Sequence, residues 1–508
     1  VQHSDTADVL NTTTQAAWVD WIMDLSGARP ILIGGNPYTV ATRSTRYLFN
    51  GADNARAFDY ILEQATQWGY RGANIEVMPY TMPAYLGGYT AYNLILTLPG
   101  AVYPDQQVIL SAHLDDTSES PASLAPGAED NGSGSALLLE AARLLRYYTF
   151  ERTLKIIWFT GEEQGLAGST HYANTHDLSG VIGVVNLDMF GYDQDNDRCF
   201  ELHVGDLAAS DVVGQCFVHS IGAYGLNLTY DYLGAGLGEG NSDHVVFWRH
   251  GVGAVEVLEN LSYQPLPAGC LNQDRNPFYH TTQDTLTAMN LPVGFDIARA
   301  GLATVMDMAV PQGRCFTTAP QVSLAFDQGQ VQVSWQAVPG AASYRVYRAD
   351  NSCEGEFSLL AEVTGTSWND ATVQNGHAYA YRVEAVWPDG MCLSERSSCQ
   401  VIIVDPDACT TAPTLHAPVT SYRSVALRWD ALVSANSYQV ERKLNGGQWV
   451  QIAEVTQPAW TDWQVAAGQS FTYRVKAEIQ NGLCQTPYSV EQPVDVPFQV
   501  FLSFVSKE

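Results

Sequence analysis

Two adjacent carboxylates, Glu162 and Glu163, stand just past a short apolar run in R-T-L-K-I-I-W-F-T-G-E-E-Q-G-L-A-G-S, residues 152–169. The β-branched and aromatic residues of that run predict a strand buried on both faces. Acids placed where such a strand stops fall in the crevice at the carboxyl ends of an open α/β sheet, where ligands bind. Two further runs bring similar groups to the same edge. Q-V-I-L-S-A-H at 107–113 ends on His113, with Asp115 two residues on, and G-V-V-N-L-D at 183–188 ends on Asp188. Between the first two runs, Asp130 sits in a glycine-rich turn, E-D-N-G-S-G, and N-P-F-Y-H-T-T-Q-D-T supplies His280. Two histidines and three carboxylates form a nitrogen and oxygen set suited to zinc, with one carboxylate available to bridge two ions.

The elements that must position these groups follow from periodicity. Apolar residues at helical spacing predict helices over 16–25, 55–68, 135–145, 208–224 and 293–308, and 91–98 reads as another strand. Arg43 and Arg46 read as surface or helix-capping arginines. Asp193, Asp195 and Asp197 alternate in D-Q-D-N-D. They could offer calcium their oxygens, but the later glycine and glutamate of a full calcium loop are missing, so a polar turn is the stronger reading. Pro311, Gln312 and Gly313 mark a linker.

The motifs resemble those of the secreted double-zinc aminopeptidases typified by bacterial leucyl aminopeptidase, whose wider relatives include glutamate carboxypeptidase and glutaminyl cyclase. H-L-D at 113–115, E-D-N-G-S-G at 129–134, T-G-E-E-Q-G-L-A-G-S at 160–169, N-L-D-M at 186–189, S-D-H at 242–244 and H-T-T-Q-D-T at 280–285 carry the resemblance. It implies a zinc-exopeptidase domain over residues 1–312, with a mixed, mostly parallel sheet flanked by helices. It also implies one zinc on Asp130, Glu163 and His280 and a second on His113, Asp130 and Asp188. Tyr279 matches a position that one branch of the family uses to hydrogen-bond the developing oxyanion. The loop before S-D-H departs from relatives that carry a disulfide-closed loop with a tyrosine there, and has Leu237, Glu239 and Asn241 instead.

Beyond the linker the texture changes to alternating strands. V-Q-V-S-W-Q-A-V-P-G-A-A-S-Y-R-V-Y-R recurs about 93 residues later as V-A-L-R-W-D-A-L-V-S-A-N-S-Y-Q-V-E-R. The Trp, Tyr and Tyr-x-Val pattern resembles fibronectin type III, an immunoglobulin-like all-β sandwich. Two such domains are expected at 313–406 and 407–497, followed by an apolar tail at 498–508. Cys315 and Cys392 occupy places in the first repeat equivalent to those of Cys409 and Cys484 in the second. Each pair is expected at one pole of its sandwich and bonded, with a stabilisation of about 4 kcal/mol from loop closure. Cys353 and Cys399 are left over, and simple sandwich geometry sets them toward opposite poles. The other connectivities of these four cysteines stay open. Of Cys199, Cys216 and Cys270 at least one must stay unpaired within the chain, since the nine cysteines are odd in number.

A formal charge of -29 leaves no basic patch for nucleic acid. No run of some 18 apolar residues suggests a membrane span. The first residues, V-Q-H-S, lack a Met, a basic segment and an apolar segment, so an export signal is expected to have been removed or left out. Cysteines at matching repeat positions point to an oxidising, extracellular compartment.

The chemistry expected is hydrolysis of the N-terminal residue from peptides. Zinc would supply a Lewis acid that acidifies water, and the protein must supply the base. With Glu163 a ligand, Glu162 leaves the turn in another direction and can act as general base, passing the proton to the leaving amine. Asp115 lies on the same side of the strand edge as His113 and can accept the imidazole's other N–H. Phe278, Pro277 and Leu237 could wall an apolar first pocket, whereas Glu239 could favour a basic side chain. A carboxypeptidase or dipeptidase of this fold would need Arg or Lys for the α-carboxylate, and near the motifs only Arg249 and Arg275 stand. A glutaminyl cyclase works with one zinc, while this chain keeps a two-zinc set. A non-catalytic binding protein would have lost ligands or base. The sandwiches could separately contact a polysaccharide or a cell surface.

Overall fold

A computed structural model describes residues 2–45, 53–238, 240–261, 269–270, 273–327, 329–388, 390, 392–404, 410–421, 423–432, 435–479 and 484–497. The chain divides into two units, residues 1–318 with 386–395, and residues 319–385 with 396–508.

The first unit opens with α1 (Ser4–Thr12), α2 (Gln15–Leu25) and a small hairpin, β1 (Ile31–Ile33) with β2 (Asn36–Tyr38). Thr14 starts α2 by accepting the Ala17 N–H at 3.1 Å, which satisfies one of the first-turn donors. There follow α3 (Asp53–Gln67), β3 (Ile75–Thr81), β4 (Thr90–Leu98), β5 (Gly100–His113), α4 (Gly132–Leu145), β6 (Tyr148–Phe159), α5 (Ala167–Thr175) and β7 (Val181–Leu187). The unit continues with β8 (Cys199–His203), α6 (Ala208–Ala223), β9 (Thr229–Leu233), α7 (His244–Arg249), β10 (Ala254–Glu259), α8 (Leu291–Ala309) and β11 (Pro311–Arg314). The expected helices and strands lie within these elements or a residue or two from them.

Nine strands form one mixed sheet in the order β3-β4-β6-β5-β7-β10-β8-β9, with β11 beside β6. The central strands β6, β5, β7 and β10 run parallel to one another. Strand alternation explains why both faces are dry. Val108, Leu110 and Ala112 of β5, with Leu154, Ile156 and Trp158 of β6, face a core shared with α4 and α8. Ile109, Ile157 and Phe159 face a second cluster with Tyr172, Val184 and Phe247. Each fully buried side chain of this size contributes about 1.5–3 kcal/mol from burial. Pro311–Arg314 is a strand, not the expected linker: Pro311 and Arg314 pair antiparallel with Phe150 and Tyr148. Cys315–Cys392 is bonded, and both halves belong to this unit because 386–395 joins it. That segment was expected in the first sandwich. Cys199 is bonded to Cys270, leaving Cys216 as a free thiol.

The second unit holds paired β-sheets, sandwich-like, in two repeats. In the first, strands at Val322–Asp327, Gln330–Trp335 and Ser367–Asp370 face a sheet of Ser358–Val363, Ser343–Asp350, Ala378–Val386 and Gln400–Ile403. The repeats share buried polar detail: Tyr381 and Tyr473 each donate to Asp370 and Asp462 at 2.8 Å, and Tyr344 and Tyr438 accept the Val338 and Leu432 N–H. Cys353 and Cys399 are bonded to each other, contrary to the expectation of opposite poles. The register Tyr381↔Gln400 sets Cys399 beside the middle of the Ala378–Val386 strand. Phe357, just past Cys353, lies under Arg382 of that strand at 5.0 Å. Cys484 is disulfide-bonded, while Cys409, its expected partner, lies outside the described residues.

Candidate active site

Parallel pairing delivers the expected groups to one place. His113 is the last residue of β5 and Asp188 follows β7; with Ser111 in register with Asn186, the two ends meet. His113 Nε2 lies 3.0 Å from Asp188 Oδ1 and 3.3 Å from Asp130 Oδ1. Across Asp130, His280 Nε2 lies 3.2 Å from Asp130 Oδ2 and 3.1 Å from Glu163 Oε2. His280 takes a left-handed backbone, φ 58°, a conformation costly for a non-glycine residue and concentrated at functional sites. Gly161 turns the chain out of β6 at φ 71°, where a Cβ would stand 2.7 Å from the Tyr80 hydroxyl. Only glycine meets both demands.

Asp130 is fixed from both sides. Asp284 accepts the N–H of Glu129 and of Asp130 at 3.1 Å each. Asn131 caps α4 through the Gly134 N–H at 3.0 Å and donates to Leu187 O at 2.7 Å, tying the turn to the end of β7. Glu129, fully buried, accepts the N–H groups of Gly191 and Tyr192 and the Asn276 amide.

The donors fit metal ions. In each trio, His113/Asp130/Asp188 and Asp130/Glu163/His280, the ligand atoms lie within 4.8 Å of one another. Glu163 Oε1 is buried without a hydrogen-bond partner, a vacancy that is rare unless an ion or water fills it. The electrostatics agree. Burial and the Asp130 charge push Glu163 up to about 8. Burial opposes a charged His280, yet Asp130 and Glu163 raise it to about 10. Burial likewise raises Glu162 well above the carboxylate range, with Asp188 and Asp243 adding to it. Such a nest holds cations, whether protons or metals.

Glu162 lines a cavity of about 100 Å³ with His113, Asp130, Asp188, Met189, Tyr279 and His280; Asn241, Glu256, Leu258 and Leu261 complete its wall. The Tyr279 ring stacks on His280 with centroids 3.7 Å apart. Burial, with the site's carboxylates, raises its phenol, which therefore stays a donor.

Asp115 does something other than expected. His113 Nδ1 meets the backbone carbonyl of Asp115 at 3.0 Å, while the carboxylate is 3.9 Å away. The strand ends at His113, so same-side alternation no longer applies. The carboxylate instead accepts the N–H of Glu162 at 3.3 Å and of Glu163 at 3.2 Å, one on each oxygen.

Phe278 is not in the catalytic cavity; it lines a separate cleft with Tyr192 and Met289. Leu237 is 37% exposed in a turn closed onto Gly234, and Glu239 lies outside the described residues. Arg43 is buried, not a surface or capping residue. It donates to the carbonyls of Leu25, Leu114, Pro126 and Gly127 at 2.7–2.8 Å and lies 3.4 Å from Asp116. It therefore ties the loop after β5 to the turn before Asp130. Arg46 lies outside the described residues. Asp193, Asp195 and Asp197 come together as a second acidic group, but Asn290 and backbone N–H groups already engage them.

A buried histidine–carboxylate cluster at the carboxyl edge of a mixed sheet defines a metallohydrolase site. The family model described as Peptidase family M28 matches residues 93–305. The chain is 26% identical over 286 residues to a probable leucine aminopeptidase of Arthroderma otae, spanning 54% of this chain and 71% of that protein. It is 30% identical over 205 residues to Aminopeptidase YwaD of Bacillus subtilis, spanning 39% and 40%. Over 115 residues it is 35% identical to a probable zinc metalloprotease of Pyrenophora tritici-repentis, spanning 22% and 26%. The chain thus spans less than half the length of the latter two. The region that this family model matches, residues 93–305, contains all five candidate ligands, and the matches place the chain among the metallo-hydrolases.

Proposed function

We propose that this protein is a secreted two-zinc aminopeptidase that releases the N-terminal residue of peptides. The relatives named aminopeptidase and zinc metalloprotease support reading the first unit as a zinc metallo-aminopeptidase. The observation that carries the two-ion reading is the pair of ligand trios that meet at Asp130, one oxygen to each histidine. Zinc would be held by His113, Asp130 and Asp188, and by Asp130, Glu163 and His280, and would supply a Lewis acid that acidifies water and polarises a carbonyl. Glu162 accepts the attacking water's proton on its carboxylate and returns it to the leaving amine. The Tyr279 hydroxyl donates to the developing oxyanion. Acids around the cavity favour a cationic α-amine over a carboxylate, and among the described residues that line it there is no Arg or Lys. That supports release from the amino end over the carboxypeptidase or dipeptidase alternative, and two trios support hydrolysis over a one-zinc glutaminyl cyclase.

The paired sheets of the second unit, with their repeated Trp–Tyr contacts at 5.3 and 5.4 Å, are two fibronectin type III-like domains on this reading, near 313–406 and 407–497. Disulfides fit an extracellular location. Among the described residues no helix is long and apolar enough to cross a membrane. A panel of aminoacyl-anilides, their N-acetylated forms and C-terminally probed peptides tests the function. Cleavage of free aminoacyl-anilides alone is expected; turnover of the N-acetylated forms overturns it.

A further inference from the structure

The segment that leads to Tyr279 is pinned on both sides of one residue. The Asp274 N–H donates to the Asn260 carbonyl at 2.9 Å, and the Asp274 carboxylate accepts the Gln194 and Asp195 N–H groups. Asn276, 2% exposed, donates its backbone N–H to Glu259 at 3.1 Å and its amide to Glu129, and accepts the Phe278 N–H at 2.9 Å. Arg275 stands between these anchors with its side chain exposed. Its guanidinium carbon lies over the Tyr279 ring, 5.5 Å from the centroid, within cation–π range. Among the described residues no ion pair engages it.

Tyr279 also lines the catalytic cavity, where its ring stacks on His280. One aromatic side chain thus spans the step from the acidic interior to the solvent-facing rim, and Arg275 marks that rim with the opposite charge. The cavity, at about 100 Å³, is worth about three water volumes. Only the residue being released fits inside, and the rest of a bound peptide leaves past the rim. The first group of the leaving peptide to reach it belongs to the residue after the scissile bond. In a dipeptide the α-carboxylate carbon is two atoms beyond the scissile nitrogen. A guanidinium matches a carboxylate with two parallel N–H groups, and a backbone already fixed on both sides lowers the cost of ordering it. In a chain of net charge -29 a substrate carboxylate is otherwise repelled, and a cation held at the rim offsets that locally.

Resting on the aminopeptidase reading, we propose that Arg275 is a specificity-determining residue that binds a carboxylate on the residue following the scissile bond. Two matched pairs of substrates distinguish the sources of that group. Leu-Gly against Leu-Gly-amide reads the α-carboxylate of a dipeptide, and Leu-Asp-amide against Leu-Asn-amide reads an acidic side chain. In the full-length protein, the ratio of kcat/KM for the acid to that for its amide should fall about 3- to 10-fold in Arg275→Met in at least one pair. That range lies between a surface ion pair and a bidentate guanidinium–carboxylate contact. Arg275→Lys, which keeps the charge, should retain part of the ratio, and added salt should shrink it more in the wild type than in Arg275→Met. The ratio is independent of how much enzyme is folded or loaded with zinc. Ratios unchanged by Arg275→Met in both pairs overturn the proposal, as does an equal loss on acid and amide, which marks Arg275 as a support for the Tyr279 ring alone. Failure to cleave any of these peptides overturns the aminopeptidase reading itself, whereas cleavage with ratios that ignore Arg275 overturns only this inference.

Discussion

Asp115→Asn separates two roles that the sequence alone conflates. In the structure the carboxylate accepts two N–H groups, from Glu162 and Glu163, at 3.3 and 3.2 Å, and is fully buried. Asparagine keeps one acceptor and turns an NH₂ toward the other N–H. A hydrogen bond to a charged group contributes about 1.5–3 kcal/mol. These two are long, so one lost near the lower bound, plus the donor–donor contact, amounts to about 2–3 kcal/mol of lost positioning. If that is felt in the transition state, kcat falls about 30- to 150-fold. Zinc binding at the Glu163 and His280 trio should weaken as well, because the Glu163 backbone is released. The His113 trio should be spared, since its imidazole rests on the Asp115 carbonyl. Steady-state rates on an aminoacyl-anilide and zinc titration of the metal-free variant read both effects. A kcat within threefold of wild type, or weakening confined to the His113 site, refutes the reasoning and restores the carboxylate as the imidazole's partner.

Glu162→Gln should lower kcat by about 10²- to 10⁴-fold and keep both zincs, because it removes a base and no ligand; elemental analysis showing zinc loss in folded protein, or near-normal turnover, reverses the roles of Glu162 and Glu163. Arg43→Ala leaves Asp116 buried without its cation and four carbonyls without their donor. It should destabilise the first unit by about 3–5 kcal/mol, measured by denaturant unfolding, and a loss below 1 kcal/mol contradicts the burial argument.

The candidate ligands are legible because apolar β-branched runs announce central parallel strands, and whatever follows such a strand lands in the crevice. The rest depends on where the chain goes after the strand ends. Asp115 shares the strand's parity with His113, but the strand has already stopped, so its carboxylate turns to the next loop. Arg43 looks like any polar-segment arginine until Leu25, Leu114, Pro126 and Gly127 converge on it. Glu256 carried a signal, a single acid inside an alternating apolar strand, and its neighbour His244 comes from the helix just before that strand. Cys353 and Cys399 pair because a short strand brings Cys399 to the middle of its partner, a register that repeat alignment does not fix. Phe278 sits beside Tyr279 in sequence, yet the turn sends its ring into another cleft.

The central claim is that two zinc ions share Asp130. Crystals of protein purified from zinc-containing medium, with data collected at the zinc absorption edge, test it most directly. Two anomalous peaks about 3.5–4 Å apart are predicted, one between His113 and Asp188 and one between Glu163 and His280, with an Asp130 oxygen on each. A single peak in crystals of fully active enzyme would contradict the account.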